Sequence, residues 1–564
     1  MSTIFLILCV IIHTSLVNGS KEPPIEIEFQ QFTSTIQLTF NVEYVWMKAN
    51  GFEKAVIAIN GSIPGPVIRA KEGDTLHITV NNNLPKEIIT IHWHGIRMKN
   101  TPYMDGVPYV TQCPINPNNN MIYEFIVDKP GTYWYHGHVE ADKNDAFYGP
   151  LVVDPYNSYP FTYNEEKIIM LSDFYSNYEN VQSLMLKSSP SQWIGNPQNS
   201  LMNGEELYSW TVEPYKIYYV RLISAAASSW YNISIPYHNV TIVEIESTII
   251  EPIESPSIWI NSGERYSFLL NTNNPGCYEI RFSMLDGVSD YGSALLNYEG
   301  MDCNPINTTY IHSTTDIKFD TNLFESIMEE IIPNATKNLT INTRQIINTD
   351  NTTTWTFNEM SFTQNGIPLL QSYYYQQLQT DNMSGIIMIN KDEVIDITFE
   401  NPDEFGTTVL QHPIHIHGHS YWILGTGTLY DTTRNLNFIN PIKRDTFTLP
   451  YNGWVTIRLV ADNPGAWILQ CHNSWHMIMG MSILFLYPHD TIPNPPNNLP
   501  LCFNIKLGDD KNVSLFGAIG ALSILCFIFI AFSIILFMKN RKLGDQYPLL
   551  TDNFEIYNTS NNKK

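Results

Sequence analysis

Hydrophobic positions along this chain fall into short runs. Leu76-His-Ile-Thr-Val80 alternates apolar and polar side chains, and Ile122-Tyr-Glu-Phe-Ile-Val127 clusters β-branched and aromatic ones. Gly, Pro and Asn turns separate such runs at short spacing, which predicts an all-β, sandwich-like body. Two apolar stretches depart from that pattern. Residues 1–19, ending in small side chains, read as a secretory signal despite lacking a basic start. Residues 513–538 belong to an uncharged run between Lys511 and Lys539. It exceeds the ~20 residues that a membrane-spanning helix needs, a buried core helix being the other reading. Lys539, Arg541 and Lys542 follow it and put the tail, residues 539–564, in the cytosol. The expectation is a single-pass type I membrane protein with a luminal or extracellular ectodomain. Asp545-Gln-Tyr-Pro-Leu-Leu550 in the tail is similar to endosomal sorting signals, so the cell surface and endosomal or lysosomal membranes both stay open.

The body carries internal repeats. Asp128-Lys-Pro-Gly131 leads into Thr-Tyr-Trp-Tyr-His-Gly-His138, Asn273-Asn-Pro-Gly276 into Cys-Tyr-Glu-Ile-Arg281, and Asp462-Asn-Pro-Gly465 into Ala-Trp-Ile-Leu-Gln-Cys-His472. Three copies of one unit follow. Ile91-His-Trp-His-Gly95 matches Ile414-His-Ile-His-Gly418, so ligand-type residues occupy the first and third copies and not the middle one.

Composition narrows the function classes. The 564 residues carry Asp+Glu 55 against Lys+Arg 31, a formal net charge of −24, so the surface repels phosphate and nucleic acid is excluded as a partner. Of seven Cys, Cys9 lies in the signal and Cys526 in the apolar run, leaving Cys113, Cys277, Cys303, Cys471 and Cys502 in an oxidising lumen. With an odd number, at least one is outside an internal disulfide. Sequons at Asn60, Asn232, Asn239, Asn307, Asn334, Asn338, Asn351 and Asn382 all precede the span, as in a glycoprotein of that topology.

Ten of the fifteen His sit in four short motifs: His92 and His94; His136 and His138; His412, His415, His417 and His419; His472 and His476. On a strand, His-x-His turns both imidazoles to one face, so each pair can offer two nitrogens to one site. Convergent imidazoles suit copper, zinc or iron. Cys471, with His476 and Met481 after it and a distant His412, supplies two imidazoles, a thiolate and a weak thioether, the donor set of a blue-copper electron-transfer site. CxxC pairs of a structural zinc site are absent. Copper is the expected metal.

The motifs HWHG at 92–95, WYHGH at 134–138, HPIHIHGH at 412–419 and CHNSWHMIMGM at 471–481 resemble those of the multicopper oxidases. The similarity is to the three-domain laccases, ascorbate oxidases and ferroxidases. DGVPYVTQCPI at 105–115, NPIKRDT at 440–446 and the segments VRLISAAAS and SGERYSF extend it over nearly the whole ectodomain. It implies three tandem cupredoxin-like Greek-key β-sandwiches over residues 20–157, 158–310 and 311–500, the middle one without copper ligands. Carried over, the type 1 copper takes His412, Cys471 and His476 with Met481 axial, and the type 2 copper takes His92 and His415. One type 3 copper takes His94, His136 and His472, and its partner takes His138 and His417. The implied reaction takes single electrons from a small reductant at the type 1 site and passes them through Cys471-His472 to the trinuclear cluster. There dioxygen receives four and becomes water. Asp105 matches a carboxylate beside the cluster that orients ligands and handles protons. Cys113–Cys502 matches a family disulfide, and Cys277–Cys303 is then the remaining pair.

Departures from the family pattern are confined to the oxygen side. Gln470 stands where the family has a histidine, five residues after Gly465 as His136 stands five after Gly131. An amide oxygen is a weaker donor to copper than imidazole. Ser474 replaces a residue that is usually acidic. The resemblance therefore implies an oxidase impaired at one type 3 position. The alternative is a non-catalytic copper-binding or interaction ectodomain that keeps the fold and the type 1 site. For the reductant, phenol, ascorbate and metal ion remain open. Asp173 resembles an acid that helps to bind iron in ferroxidases, while Thr408 stands in place of a second such acid and Met481 resembles laccases and ascorbate oxidases.

Overall fold

The computed structural model describes residues 33–500 apart from 285–290, 304–305, 307–320, 364–365, 377–382, 403–409 and 498. The expected signal, span and tail, Cys502, Asn307, Asn382 and Thr408 lie outside the described residues, and among those described no helix is long and apolar enough to cross a membrane.

The described chain is almost entirely β. Its strands form six sheets. The first two, each four-stranded, are built from residues 35–154. One runs Phe52–Ile59, Thr35–Ala49, Thr75–Asn82, Asn120–Ile126, and the other runs Ile68–Lys71, Tyr148–Asp154, Gly131–Gly137, Ile91–His94. Residues 165–298 build a six-stranded and a five-stranded sheet, and residues 337–486 build another such pair. This is a cupredoxin-like architecture consistent with three sandwich domains. In Thr75–Asn82, Leu76, Ile78 and Val80 are fully buried while their neighbours are half-exposed, the period-2 pattern of a sheet with one face on the core. Gly131–Gly137 is buried at every position, as its continuous aromatic run requires.

Each repeat opens a strand: Gly131–Gly137, Cys277–Met284 and Ala466–Cys471. Register then brings the motifs together. His92 faces His136 across one antiparallel pair, and Ile414 faces Cys471 and His415 faces Gln470 across another. The Cys277–Cys303 disulfide is present, Cys113 is also disulfide-bonded, and Cys471 is a free, buried thiol. Most sequon asparagines among the described residues are exposed, but Asn232 is buried in a central strand position and is no accessible glycan acceptor.

Candidate metal centre

Two donor sets form. In one, Cys471 Sγ lies 3.5 Å from His476 Nδ1 and 3.7 Å from His412 Nδ1, and the two nitrogens are 3.1 Å apart. Met481 is fully buried beside them, its carbonyl accepting from Cys471 N–H and its own N–H donating to His476 O. Trp355 packs against both imidazoles, with ring centroids 5.1 Å from His412 and 4.5 Å from His476.

The second set joins the two ends of the body. His92 Nε2 and His415 Nε2 face each other at 3.4 Å, His92 stacks on His417, and His94 stacks on His415. His136 and His472 close one side, with ring centroids 5.3 Å apart, and His138 meets His417 at 5.3 Å on the other. Proximity alone groups His92 with His94 and His136, and again with His415 and His417. These groupings cross the partition that the resemblance implies. His419 is turned away, bonded to His417 O and Tyr487.

Alternation on Ala466–Cys471 explains how one strand feeds both sets: Cys471 points to one face, Gln470 and His472 to the other. Gln470 Nε2 lies 3.2 Å from His138 Nε2, at the edge of the histidine cluster. Ser474 is buried and donates to Asn144 Oδ1 at 2.9 Å. Asp173 is buried, and its carboxylate accepts the backbone N–H groups of Ala227, Ser228 and Ser229 at 2.6, 3.0 and 3.0 Å. It holds a turn and is not displayed to solvent.

Family models described as multicopper oxidase match residues 41–158, 165–301 and 337–491. The chain belongs to the multicopper oxidase family. It is similar to an L-ascorbate oxidase of Cucumis sativus, 32% identical over 79% of this chain and 88% of that protein. It is also similar to the iron transport multicopper oxidase FET3 of Gibberella zeae, 31% identical over 82% of this chain and 79% of that one. Among solved structures, Fet3p superposes with a TM-score of 0.75 at 24% identity, covering 82% of this chain and 92% of that one. The laccase of Botrytis aclada superposes at 0.73 and 26%, covering 82% and 89%.

Multicopper oxidases are copper oxidoreductases that use dioxygen and hold type 1, 2 and 3 copper, and the donor atoms here fit that metal. His92, His136 and His415 donate Nδ1–H to the carbonyls of Asp105, Gly137 and Asp445, and His417 donates Nδ1–H to Asp105 Oδ2 at 2.9 Å. Each ring is thereby fixed with Nε2 free for a metal. The Nε2 atoms of His136, His417 and His472 and the Nδ1 atoms of His94 and His138 are buried without a hydrogen-bond partner among the described residues. Such orphaned acceptors are costly unless a cation meets them. Burial holds His138, His415 and His476 down to about 3, so they are neutral ligands at physiological pH. Burial pushes the Cys471 thiol up to about 12, so only a bound cation keeps it as thiolate.

Several residues that are not metal ligands also shape this site. Arg265, from the middle repeat, donates to Asp445 at 2.7 and 2.5 Å and to Thr132 O at 2.9 Å, and Asp445 in turn supports His415. Ser262 Oγ lies 2.9 Å from His472 Nδ1, and Gly263 leaves little room for a Cβ, which would meet His472 Cγ at 3.0 Å. Lys143 is buried against His472, and burial lowers its ammonium to about 7. No periodicity marks these residues; Arg265, Ser262 and Lys143 meet their partners only across 133 to 329 positions in the chain, for example the 329 that separate Lys143 from His472.

Proposed function

We propose that this chain is a membrane-tethered oxidase taking single electrons from a small organic reductant and reducing dioxygen to water. The observation that carries the reading is that Cys471 and His472, joined by one peptide bond, reach two different donor sets. We assign to type 1 copper the residues that would hold it, His412, Cys471 and His476 with Met481 as a further donor, and to type 2 copper His92 with His415. His94, His136 and His472 go to one type 3 copper, and His138 and His417 to the other. Bound copper supplies one-electron transfer at the thiolate and the multielectron reduction of dioxygen at the cluster. The chain's residues do the rest. Asp105 fixes the rings of His92 and His417 and can hold a proton beside them. Alternation on Ala466–Cys471 divides Cys471 from His472.

Aromatic surface favours an organic reductant. Trp475 precedes His476 and meets the exposed Trp193 at 4.9 Å, while Trp355 covers both type 1 imidazoles. Trp193, the exposed ring of the three, can stack on a phenol or an enediol of ascorbate type. The acid carried over for iron, Asp173, is spent on three backbone N–H groups. Domains over residues 20–157, 158–310 and 311–500 are supported by the grouping of sheets, and the tether by the uncharged run at 513–538. The type I orientation places the ectodomain at the cell surface or in an endosomal lumen.

The second reading, a copper-binding ectodomain without turnover, is favoured by one observation: Gln470 offers His138 an amide where the pattern wants an imidazole. Purified full-length protein, reconstituted with copper, separates the two. Steady oxygen uptake with ascorbate or a diphenol, exceeding that with ferrous ion and abolished by Cys471→Ser, is expected. A blue protein with no uptake supports the second reading. Activity surviving Cys471→Ser refutes the electron route.

A further inference from the structure

Lys143 lies in the short 3-10 turn Asp142–Asp145 that follows the first repeat, and none of the family motifs includes it. Its side chain is buried. The chain holds a second buried lysine for comparison: Lys54 is neutralised by Asp145 Oδ1 at 2.7 Å, an ordinary interior ion pair. Lys143 is placed differently. Its Nζ donates to the carbonyl oxygen of His472 at 2.9 Å and lies 3.0 Å from Nδ1 of the same residue. Asp173, Cys471 and Asp142 act on it only through longer-range attraction. A buried ammonium is costly without a carboxylate in contact, and what this one touches is the residue after the thiolate.

Two side chains hold polar atoms of His472. Ser262 Oγ gives its proton to Ala226 O at 2.6 Å and so can accept Nδ1–H at 2.9 Å. Nε2 faces the other histidines without a partner among the described residues. The carbonyl accepts from Lys143 at 2.9 Å and lies 3.2 Å from the same Ser262 Oγ. Ring and backbone of His472 are thus held from both sides, by the middle repeat and by the first.

We infer that Lys143 is a positioning residue for electron transfer, fixing His472 through its carbonyl and placing a positive charge on the cluster side of the Cys471-His472 link. The inference rests on the reading that His472 holds copper. A nearby cation stabilises added negative charge in a low-dielectric interior. Each electron delivered by the reductant is therefore favoured on the His472 side before it passes to dioxygen.

The test uses full-length protein, copper-reconstituted, comparing wild type with Lys143→Met, Lys143→Gln and Lys143→Arg. Copper per chain, the thiolate absorption near roughly 600 nm, and the electron paramagnetic resonance of the cluster copper are recorded. After anaerobic reduction, the return of the blue colour on mixing with dioxygen is timed. For Lys143→Met, we expect full copper, an unchanged blue band, an altered cluster resonance and re-oxidation slower by roughly ten- to a hundredfold. Lys143→Arg restores at least part of the rate. Lys143→Gln keeps a donor and removes the charge, so it carries the test should Lys143→Met not fold, and the same slowing is expected. Wild-type resonance and re-oxidation in a folded Lys143→Met or Lys143→Gln overturn the inference while leaving the proposed function intact. A wild-type chain that binds no copper overturns both.

Discussion

Gln470 and Cys471 are neighbours with opposite tasks, because a strand sends successive side chains to opposite faces. The thiolate set is complete on its side, and the cluster side has an amide where the repeat predicts an imidazole. Gln470→His should therefore raise both copper per chain and the oxygen-uptake rate above wild type, measured by metal analysis and an oxygen electrode. Unchanged values for both would show that Gln470 is not the weak point. Asp142 makes a separate prediction. Burial first, and the charge of Glu179 next, push its carboxyl well above the ordinary range. Its folded value exceeds its unfolded one, so its contribution to stability is present at low pH and lost as pH rises above about 4. Asp142→Asn should raise the thermal midpoint at pH 8 and change it little at pH 4; an equal shift at both would rule out titration as the cause. At this scale the sequence was legible wherever residues carry metal chemistry: the ten clustered histidines and Cys471 all reach the centre except His419. Lys143 was not, since lysine has no distinctive spacing and its partner lies 329 positions away; Ser262 sits in the SGERYSF segment, but its contact with His472, 210 positions away, is not written there.

Strands were readable because their burial alternates or is continuous, as in Thr75–Asn82 and Gly131–Gly137. The helix Glu179–Lys187 was not, for a physical reason: it buries Gln182 and Ser183 with Leu186 and leaves Val181 and Leu184 exposed, which erases the amphipathic stripe. Its polar face is taken up by the turn that carries Lys143, through Gln182 to Asn144 at 3.1 Å. The loop after Pro102–Met104 shows how tightly an element can be held to the site. Gly106 adopts φ +84°, and a Cβ there would sit 1.8 Å from Ile91 O and 2.8 Å from His92 N. Gly106→Ala must push the loop, and Asp105 with it, off the strand Ile91–His94. We expect a loss of about 3 kcal/mol in stability, by denaturant titration, and an altered resonance of the cluster copper while the blue band persists. Loss of the blue band with an unchanged cluster would mean that the strain is relieved elsewhere.

The middle repeat has no copper ligands, yet it ties the whole together. Arg265 donates to Asp445 of the third repeat and to Thr132 of the first. Arg444 of the third reaches back to Glu246 at 3.0 Å and Glu264 at 3.2 Å, and all five charged groups are buried. Asp445 is held well below the usual carboxylate range, and against its own burial, chiefly by Arg265, while burial and the charge of Asp445 push Glu246 up to about 7. The network therefore accommodates one more negative charge only because Arg265 is there. Arg265→Met should leave Asp445 uncompensated and cost about 3–5 kcal/mol. Arg265→Met with Asp445→Asn should cost less than the sum of the two single changes, giving a coupling energy of about 1–3 kcal/mol in a double-mutant cycle on metal-free protein. Metal-free protein is the proper reference, because Asp445 also supports His415 and any change in copper binding would enter the stability by mass action. Additive costs would mean that the two groups do not sense each other, and that the middle repeat spaces the copper-bearing ends without clamping them.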